Sequence, residues 1–416
     1  MKTQHPMPLA AARQALLARS APCPSEVIPL PAALDRVSAR DLYAPRSLPE
    51  QARSRMDGYA VAGSDLLDVR PERPVLLRLR PETAAAGHPL ETAVVPGEAM
   101  RILTGAPIPA GADLVVPDEQ AHLLSGRVAI ATAFRPGDWV LPPGADVRRG
   151  EPIAAAGRIL TPAVLALCAA CGWDAIEVVK RPRVAVLGTG DELLELGEPW
   201  RAPMQYCNSR LLMEWLVAAH GGVALNLGNA ADDAEAVAGT LDRAEAEAVI
   251  STGGTGFGDR DVLRDAWNIL GITPIFRGLG LTPGGGSAFG VKNGTGYLAL
   301  PGSPWAAEAV FMQLGLPWLR SLAGADPDAG TLLPAVLEST LNNRRASARM
   351  VPGRLQRSAA ALRFQPLITD TGSVFARIHR RNAYLLVPEF STLEKGCIVP
   401  AALYDPALHC PIPLDP

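Results

Sequence analysis

The chain has 416 residues, a formal net charge of −3, 48% hydrophobic and 19% charged residues. Its length exceeds the ~100–200 residues of one domain, so two to four domains with sizeable cores are expected. No basic run marks a nucleic-acid surface, no apolar stretch is long enough for a membrane helix, and MKTQHPMPLAAARQALLARSAP lacks a secretory signal's apolar centre, so the cytoplasm is the expected compartment.

In chain order, the first 46 residues predict two helices, Pro8–Ser20 and Pro31–Tyr43. From 47 to 144, short runs such as PVLLRLRP, GEAMRILTG, DLVVPDEQ and GRVAIATAF between Pro/Gly turns predict a small β lobe. Residues 145–180 return to helix at TPAVLALCAACG. Taken with residues 7–46 they make a helical-β linker domain into which the β lobe is inserted. Cys168 and Cys171 form a C-x-x-C inside that apolar run, where packing is the favoured reading over redox or metal chemistry. From 181 to 324, strands such as RVAVLGTG, AVISTGGTG and GYLALPG alternate with helical runs. That predicts a doubly wound, mostly parallel α/β domain. From 329 to 414 short strands return (LLPAVLEST, ALRFQPLI, AYLLVPEF, CIVPAALY), giving a small β domain.

Ligands of doubly wound sheets sit at the carboxyl ends of the strands. Those ends carry GTGDEL, STGGTGFGDRD and LPGSP. The Gly-rich stretch Ser251–Asp261 is the best chemical signal: glycines let backbone amides approach an anion, and the helix that follows presents free N–H groups. Phosphate is its natural guest, and Asp259 and Asp261 could hold a magnesium ion bridging to it. A tight strand-to-helix turn is the bland alternative. No Walker A sequence and no G-x-G-x-x-G occur, which disfavours P-loop and dinucleotide enzymes. The six histidines are isolated, and no zinc site is assigned. The acids Asp57, Asp146, Glu192, Asp232 and Asp261 come from separated places, a set suited to a divalent metal or an oxyanion-rich ligand.

Several stretches resemble the molybdopterin molybdenumtransferase family, which includes the E domain of gephyrin. They are MDGYAV at Met56–Val61, RILTGAPIPAGAD at Arg101–Asp113, GADVRRG around Asp146, PRVAVLGTGDEL, the Gly-rich loop, PGGGSAFG and LPGSP, in the family's order over roughly residues 8 to 405. The resemblance implies a linker domain, an inserted β lobe, a doubly wound domain and a C-terminal β barrel. It implies an elongated homodimer with its site between the doubly wound domain of one chain and the β lobe of the other. The implied reaction inserts molybdate into adenylylated molybdopterin, with magnesium, releasing AMP. Asp57, Thr104, Asp146, Glu192, Asp232 and Asp261 would line that cleft, with Glu192 and Asp261 on the metal and Thr104 bonding an oxo group. Thr252, Gly253, Gly254 and Thr255 would cradle the pterin's phosphate, with Asp259, Pro283 and Ser303 beside it. A molybdopterin adenylyltransferase and a recipient molybdoenzyme are the implied partners.

Departures from the family pattern matter as much. The usual lysine positions read Gly278, Thr282 and Gly285, and only Lys2, Lys180, Lys292 and Lys395 of the 39 basic residues are lysine. Arg277 is the candidate substitute, although arginine and lysine are not interchangeable. The usual N-I-R near the β lobe is Trp139-Val140-Leu141. TGGTG replaces S-G-G-V-S and is more like related adenylyl-transferring molybdopterin proteins. Three readings stay open: a working transferase, a non-catalytic molybdopterin carrier, and a shifted adenylylation or hydrolysis activity on a pterin nucleotide.

Overall fold

A computed structural model describes residues 5–88, 91–255, 262–330, 332–358, 361–367 and 380–404. Helix α1 (Leu9–Leu17) buries Ala12 and Leu16, which share a face at i, i+4. The second expected helix, Pro31–Tyr43, is absent. Strand β1 (Ser25–Pro29) runs instead into a single 3-10 turn, Leu30–Ala32, and the chain is extended again at Leu42–Tyr43. Pro29 and Pro31 have no N–H to give a helix, and Asp35 sits at φ +59°. The β-branched Val27 and Ile28 pair with Glu177 and Ile176 in an antiparallel ladder.

The β lobe contains β2 (Arg53–Ser54), β3 (Gly58–Val61), β4 (Val75–Ala84), β5 (Glu98–Ile102), β6 (Leu114–Pro117), β7 (Ala121–Leu124), β8 (Arg127–Ile130) and β9 (Val140–Leu141). Six of these form one sheet in the order β6-β3-β5-β4-β8-β7, while β2 and β9 make a separate ribbon. Alternate residues of β3 and β5 feed opposite clusters: Val61 and Ala99 pack with Leu77 and Val128, Ala60 and Met100 with Val115. Gly58 is required, because a Cβ there would overlap the Val116 carbonyl. The chain enters and leaves the lobe through a bridge between Leu48 and Val147.

Helix α2 (Pro162–Ala170) starts at Thr161, whose hydroxyl accepts from Val164 N–H. Cys168 and Cys171 are both buried, in apolar clusters with Leu42 and Ile176 and with Ala44 and Val147 respectively. Strand β10 (Ala175–Val179) closes this region against β1.

The next segment runs β11 (Arg183–Thr189), β12 (Leu193–Leu194), β13 (Gln205–Tyr206), α3 (Asn208–Ala219), β14 (Val223–Ala230), α4 (Ala234–Asp242), β15 (Ala248–Thr252), α5 (Val262–Leu270), β16 (Thr273–Arg277), β17 (Leu279–Thr282), β18 (Ala288–Lys292), β19 (Thr295–Leu300), α6 (Pro304–Val310) and α7 (Leu316–Leu322). Its sheet has the order β14-β11-β15-β19-β18-β16; the first four strands are parallel, β18 runs against them, and β16 at the edge pairs antiparallel with β18. Both faces are covered. Val184, Val186 and Ile250 pack with Met213, Val217 and Val310, whereas Ala185, Leu187 and Val249 pack with Leu241, Leu263 and Trp267. The long final helix contains a π turn at Phe311–Gly315. It lies just ahead of Pro317, whose ring clashes with regular helix four residues back.

Strands β20 (Leu332–Leu337), β21 (Ala348–Arg357), β22 (Leu362–Pro366), β23 (Ala383–Val387) and β24 (Ile398–Leu403) pair in the order β21-β22-β20-β24-β23, and β23 pairs back onto β21. This closes a five-stranded barrel filled by Leu337, Leu355, Phe364, Leu385 and Val399. Strand β17 joins it: Met7–Pro8 pairs on one side and Ala348–Arg349 on the other. Among the described residues no helix is long and apolar enough to cross a membrane.

Candidate functional site

The carboxyl ends of β11 and β15 open into a cleft of about 360 Å³, bounded by Thr189, Glu192, Thr252, the segment from Gln205 to Arg210, and Gly302 to Pro304. Two helices aim their N-termini into it. Helix α3 begins at Asn208 behind Cys207, and α6 begins at Pro304 behind Ser303; neither capping side chain bonds a first-turn N–H. Unsatisfied first-turn donors and the helix dipoles make this region attract anions. Ser209 Oγ donates to Gly302 O at 2.6 Å and locks the two helix starts together.

The Gly-rich loop forms the adjoining wall. Gly253 and Gly254 have φ +91° and +64°, and a Cβ on Gly253 would collide with the Thr189 backbone. Thr189 Oγ1 donates to Thr252 O at 3.2 Å, and Gly253 N–H donates to Leu300 O at 3.0 Å. The Gly253 amide is therefore committed to the sheet and does not face a guest. Thr252 and Ser303 line the cleft; Gly254 and Thr255 are half-buried beside it. Asp259 and Asp261 lie outside the described residues.

Sequence reasoning missed the floor of the cleft. Arg210 is 1% exposed and holds five groups from separated segments. Its guanidinium donates to Glu195 Oε2 at 2.6 Å, Glu214 Oε1 at 2.7 Å, Asn229 Oδ1 at 3.2 Å and Cys207 Sγ at 3.1 Å, and it also bonds Asn226. Asn229 donates in turn to Glu195 at 2.9 Å. The arginine thus fastens the segment between β12 and β13 to α3 and β14.

The acids expected at the site fall into three groups. Glu192 is exposed at the cleft wall. Asp232 is tied to a neighbour of Glu192, since its N–H donates to Asp191 Oδ1 at 3.0 Å. In the β lobe, Asp57 Oδ1 accepts from Thr104 N–H at 2.6 Å and Thr104 Oγ1 at 2.7 Å. The Thr104 hydroxyl, then its amide, hold the Asp57 carboxyl below its ordinary range. Asp146 is exposed, with its N–H on Leu48 O at 2.9 Å, where the chain leaves the lobe. Among the described residues of one chain, the cleft lining includes none from the β lobe. Among the described residues no three His, Cys, Asp or Glu side chains are grouped to hold a metal.

At the usual lysine positions, Gly278 has φ +91°, Thr282 shares a 2.8 Å hydroxyl bond with Ser347, and Gly285 is half-buried. Pro283 follows Thr282 through a cis peptide. Arg277 does not line the cleft; its charge acts on Asp265, whose carboxyl is held low first by its bond from Arg264 and, to a smaller extent, by Arg277. Leu141, where the resemblance expects arginine, lies directly opposite Arg53 in the β2–β9 ribbon.

Comparison with known proteins identifies the family. Residues 7–172 match the family profile described as MoeA N-terminal region (domain I and II), and residues 185–321 match one described as Probable molybdopterin binding domain. A molybdopterin molybdenumtransferase 2 of Mycobacterium tuberculosis is 33% identical over 330 residues, covering 78% of this chain and 81% of that protein. The molybdopterin molybdenumtransferase of Bacillus subtilis is 29% identical over 371 residues, covering 88% and 86%. The solved structure of a molybdopterin biosynthesis moeA protein from Pyrococcus horikoshii superimposes with a TM-score of 0.81 at 26% identity, over 96% of this chain and 100% of that one. A relative one-third identical and spanned over four-fifths of its length places the chain, together with its lobe, doubly wound sheet and barrel, in the molybdopterin molybdenumtransferase family.

Proposed function

We propose that the chain inserts molybdate into adenylylated molybdopterin with release of AMP, as a cytoplasmic homodimer. The observation that carries this reading is the convergence of two helix N-termini and the Thr252–Gly254 turn on one cleft walled by Glu192. Phosphate seats against the free first-turn amides of α3 and α6, with the Ser303 hydroxyl and Thr252 beside it. Glu192 offers one hard carboxylate. Magnesium uses one or two such groups plus substrate phosphate oxygens, so this donor set fits it, with Asp261 as the second ligand by resemblance. When bound, the ion neutralises phosphate charge during cleavage.

The β lobe supplies the other half. Asp57 is ionised, and Thr104 spends its only hydroxyl proton on it. Thr104 Oγ1 therefore accepts, and it holds a protonated oxygen of the oxyanion or a water. Asp57 and Thr104 are not in the cleft of their own chain, which favours a dimer whose second copy brings them to it. By resemblance, Asp146 and Asp232 would line the same shared cleft. The recipient enzyme and an adenylyltransferase are its expected partners.

The test is AMP release from adenylylated molybdopterin with magnesium, with and without molybdate. Molybdate-dependent release supports the transferase. Tight binding without release would replace it with the second reading, a molybdopterin carrier, which is favoured by the uncharged Gly278, Thr282 and Gly285.

A further inference from the structure

A second cleft, of about 260 Å³, lies in the β lobe. Three segments line it: Glu50, Gln51 and Arg53 ahead of the Ser54–Asp57 turn, Gly87 and His88 beyond β4, and Gly105 and Pro107 beyond β5. Backbone bonds set its walls. Ser54 N–H donates to Ala106 O at 2.9 Å, Gly105 N–H to Ser54 O at 2.8 Å and Ile108 N–H to Ala52 O at 2.9 Å, while Arg53 bridges Pro107. A Cβ on Gly105 would lie 3.8 Å from Ala86 Cβ, so the tip carrying Gly87 and His88 faces the turn that follows Thr104.

Its charge is one-sided. The Arg53 guanidinium and the His88 ring have no hydrogen-bond or ion-pair partner among the described residues. Glu50 is the lone carboxylate in the lining, and it faces Arg46 at 3.8 Å. An arginine fork, an imidazole and the Gln51 amide are thus directed to a space of several water volumes, next to Thr104. A planar fork of N–H donors matches two oxygens of a tetrahedral anion, and a neighbouring ring N–H can take a third.

We propose that this cleft binds a small tetrahedral oxyanion of the molybdate class, held by Arg53 and His88 beside the Asp57–Thr104 pair. The proposal rests on the reading that molybdate is the chain's substrate, and it names the place where that substrate is first held. The shared chemistry is a tetrahedral oxyanion, which a free oxyanion or the phosphate of AMP can supply.

The experiment is calorimetric titration of the full chain with molybdate, repeated in the presence of sulfate and of AMP, for the native protein, Arg53→Gln and His88→Gln. Because neither side chain holds another residue, both variants are expected to melt within about 2 °C of the native protein, as surface changes do. The expected result is molybdate binding that weakens at least tenfold in Arg53→Gln, weakens less in His88→Gln, and falls with added salt. Displacement by sulfate assigns the site to free oxyanions. Displacement by AMP that is itself lost in Arg53→Gln assigns it to the nucleotide phosphate. Undiminished molybdate binding in both variants would overturn the proposal, as would loss only on changing the Thr252–Gly254 turn. Native protein that binds molybdate through Arg53 but releases no AMP would remove the transferase reading and leave this site standing. Molybdate-dependent AMP release with unchanged binding in Arg53→Gln would do the reverse.

Discussion

Replacing Arg210 with methionine tests whether the cleft floor is held by charge. The guanidinium is 1% exposed, whereas Glu214 is 15% and Glu195 45% exposed. Removing one member of a buried ion pair costs about 3–5 kcal/mol, because the remaining charge is stranded. Glu195 can turn into water, so the stranded partners are Glu214 and the side-chain oxygens of Asn226 and Asn229. The cost should therefore fall near the lower end, about 3 kcal/mol. For a unit of this size, about 2–4 °C is lost per kcal/mol, so the transition of this segment should drop by about 6–12 °C. The assay is a thermal melt followed by tryptophan fluorescence, with Arg210→Lys and the double change Arg210→Met, Glu214→Leu alongside. Lysine retains the charge without the fork and should recover only part of the loss. The double change removes the stranded carboxylate and should recover more. A melt of Arg210→Met within 1 °C of the native protein (about a third of a kcal/mol) would refute the reasoning, since it would mean the buried charges were already relaxed.

Four further outcomes are expected. Thr104→Val removes the larger of the two bonds that hold Asp57 ionised, so its carboxyl should titrate at a higher pH. The stabilisation tied to ionised Asp57 is present above the ordinary carboxylate range and lost as pH falls through the lowered native value. In the variant that loss, read by carbon NMR of the carboxyl and by the acid limb of the rate profile, should come at higher pH; an unmoved titration would count against the bond. Gly253→Ala forces φ +91° and a collision with Thr189, should cost about 1–3 kcal/mol and, by displacing Thr252 at the cleft wall, should weaken pterin-phosphate binding; a folded variant that binds as the native protein does would show that the turn does not shape the seat. Gly285→Lys should fold normally, since its Cβ meets only Leu279 O and Leu281 O at 3.8 Å, and should raise molybdate-dependent turnover. Gly278→Lys at φ +91° should lose about 1–2 kcal/mol on the same melt.

What sequence reveals depends on how local the cause is. The Gly-rich turn was legible because positive φ at Gly253 and Gly254 is a property of two adjacent residues. The alternation of β11 and β15 with helices was legible for the same reason. Arg210 was not, because on an amphipathic helix a charged residue reads as surface. Its burial comes only from Glu195, Cys207, Glu214, Asn226 and Asn229 meeting in space. The segment from Pro31 to Tyr43 reads as a helix in sequence and is a 3-10 turn and a short strand in the structure. Val37 and Ser38 bridge Ile159 and Val178, and Leu42–Tyr43 pairs with Ala154 and Pro152, all more than a hundred residues away, and propensity cannot weigh such contacts. The separation of Asp57 and Thr104 from the cleft lining of their own chain has no local signal in composition or spacing; it is legible only through the resemblance, which implies a site shared between two chains.

The bridge between Leu48 and Val147 has a consequence for how such a molecule can be built and rebuilt. Antiparallel bridge partners lie about 4.5–5.5 Å apart, a gap that one or two glycines span. Nearly a hundred residues thus hang from the rest of the chain by a single pair of adjoining strands. A gene spliced from Ser47 to Arg148 would cut no other ladder of the linker region, so the lobe behaves as a removable cassette. Homologous lobes can be exchanged between relatives at that seam while the doubly wound half stays as it is.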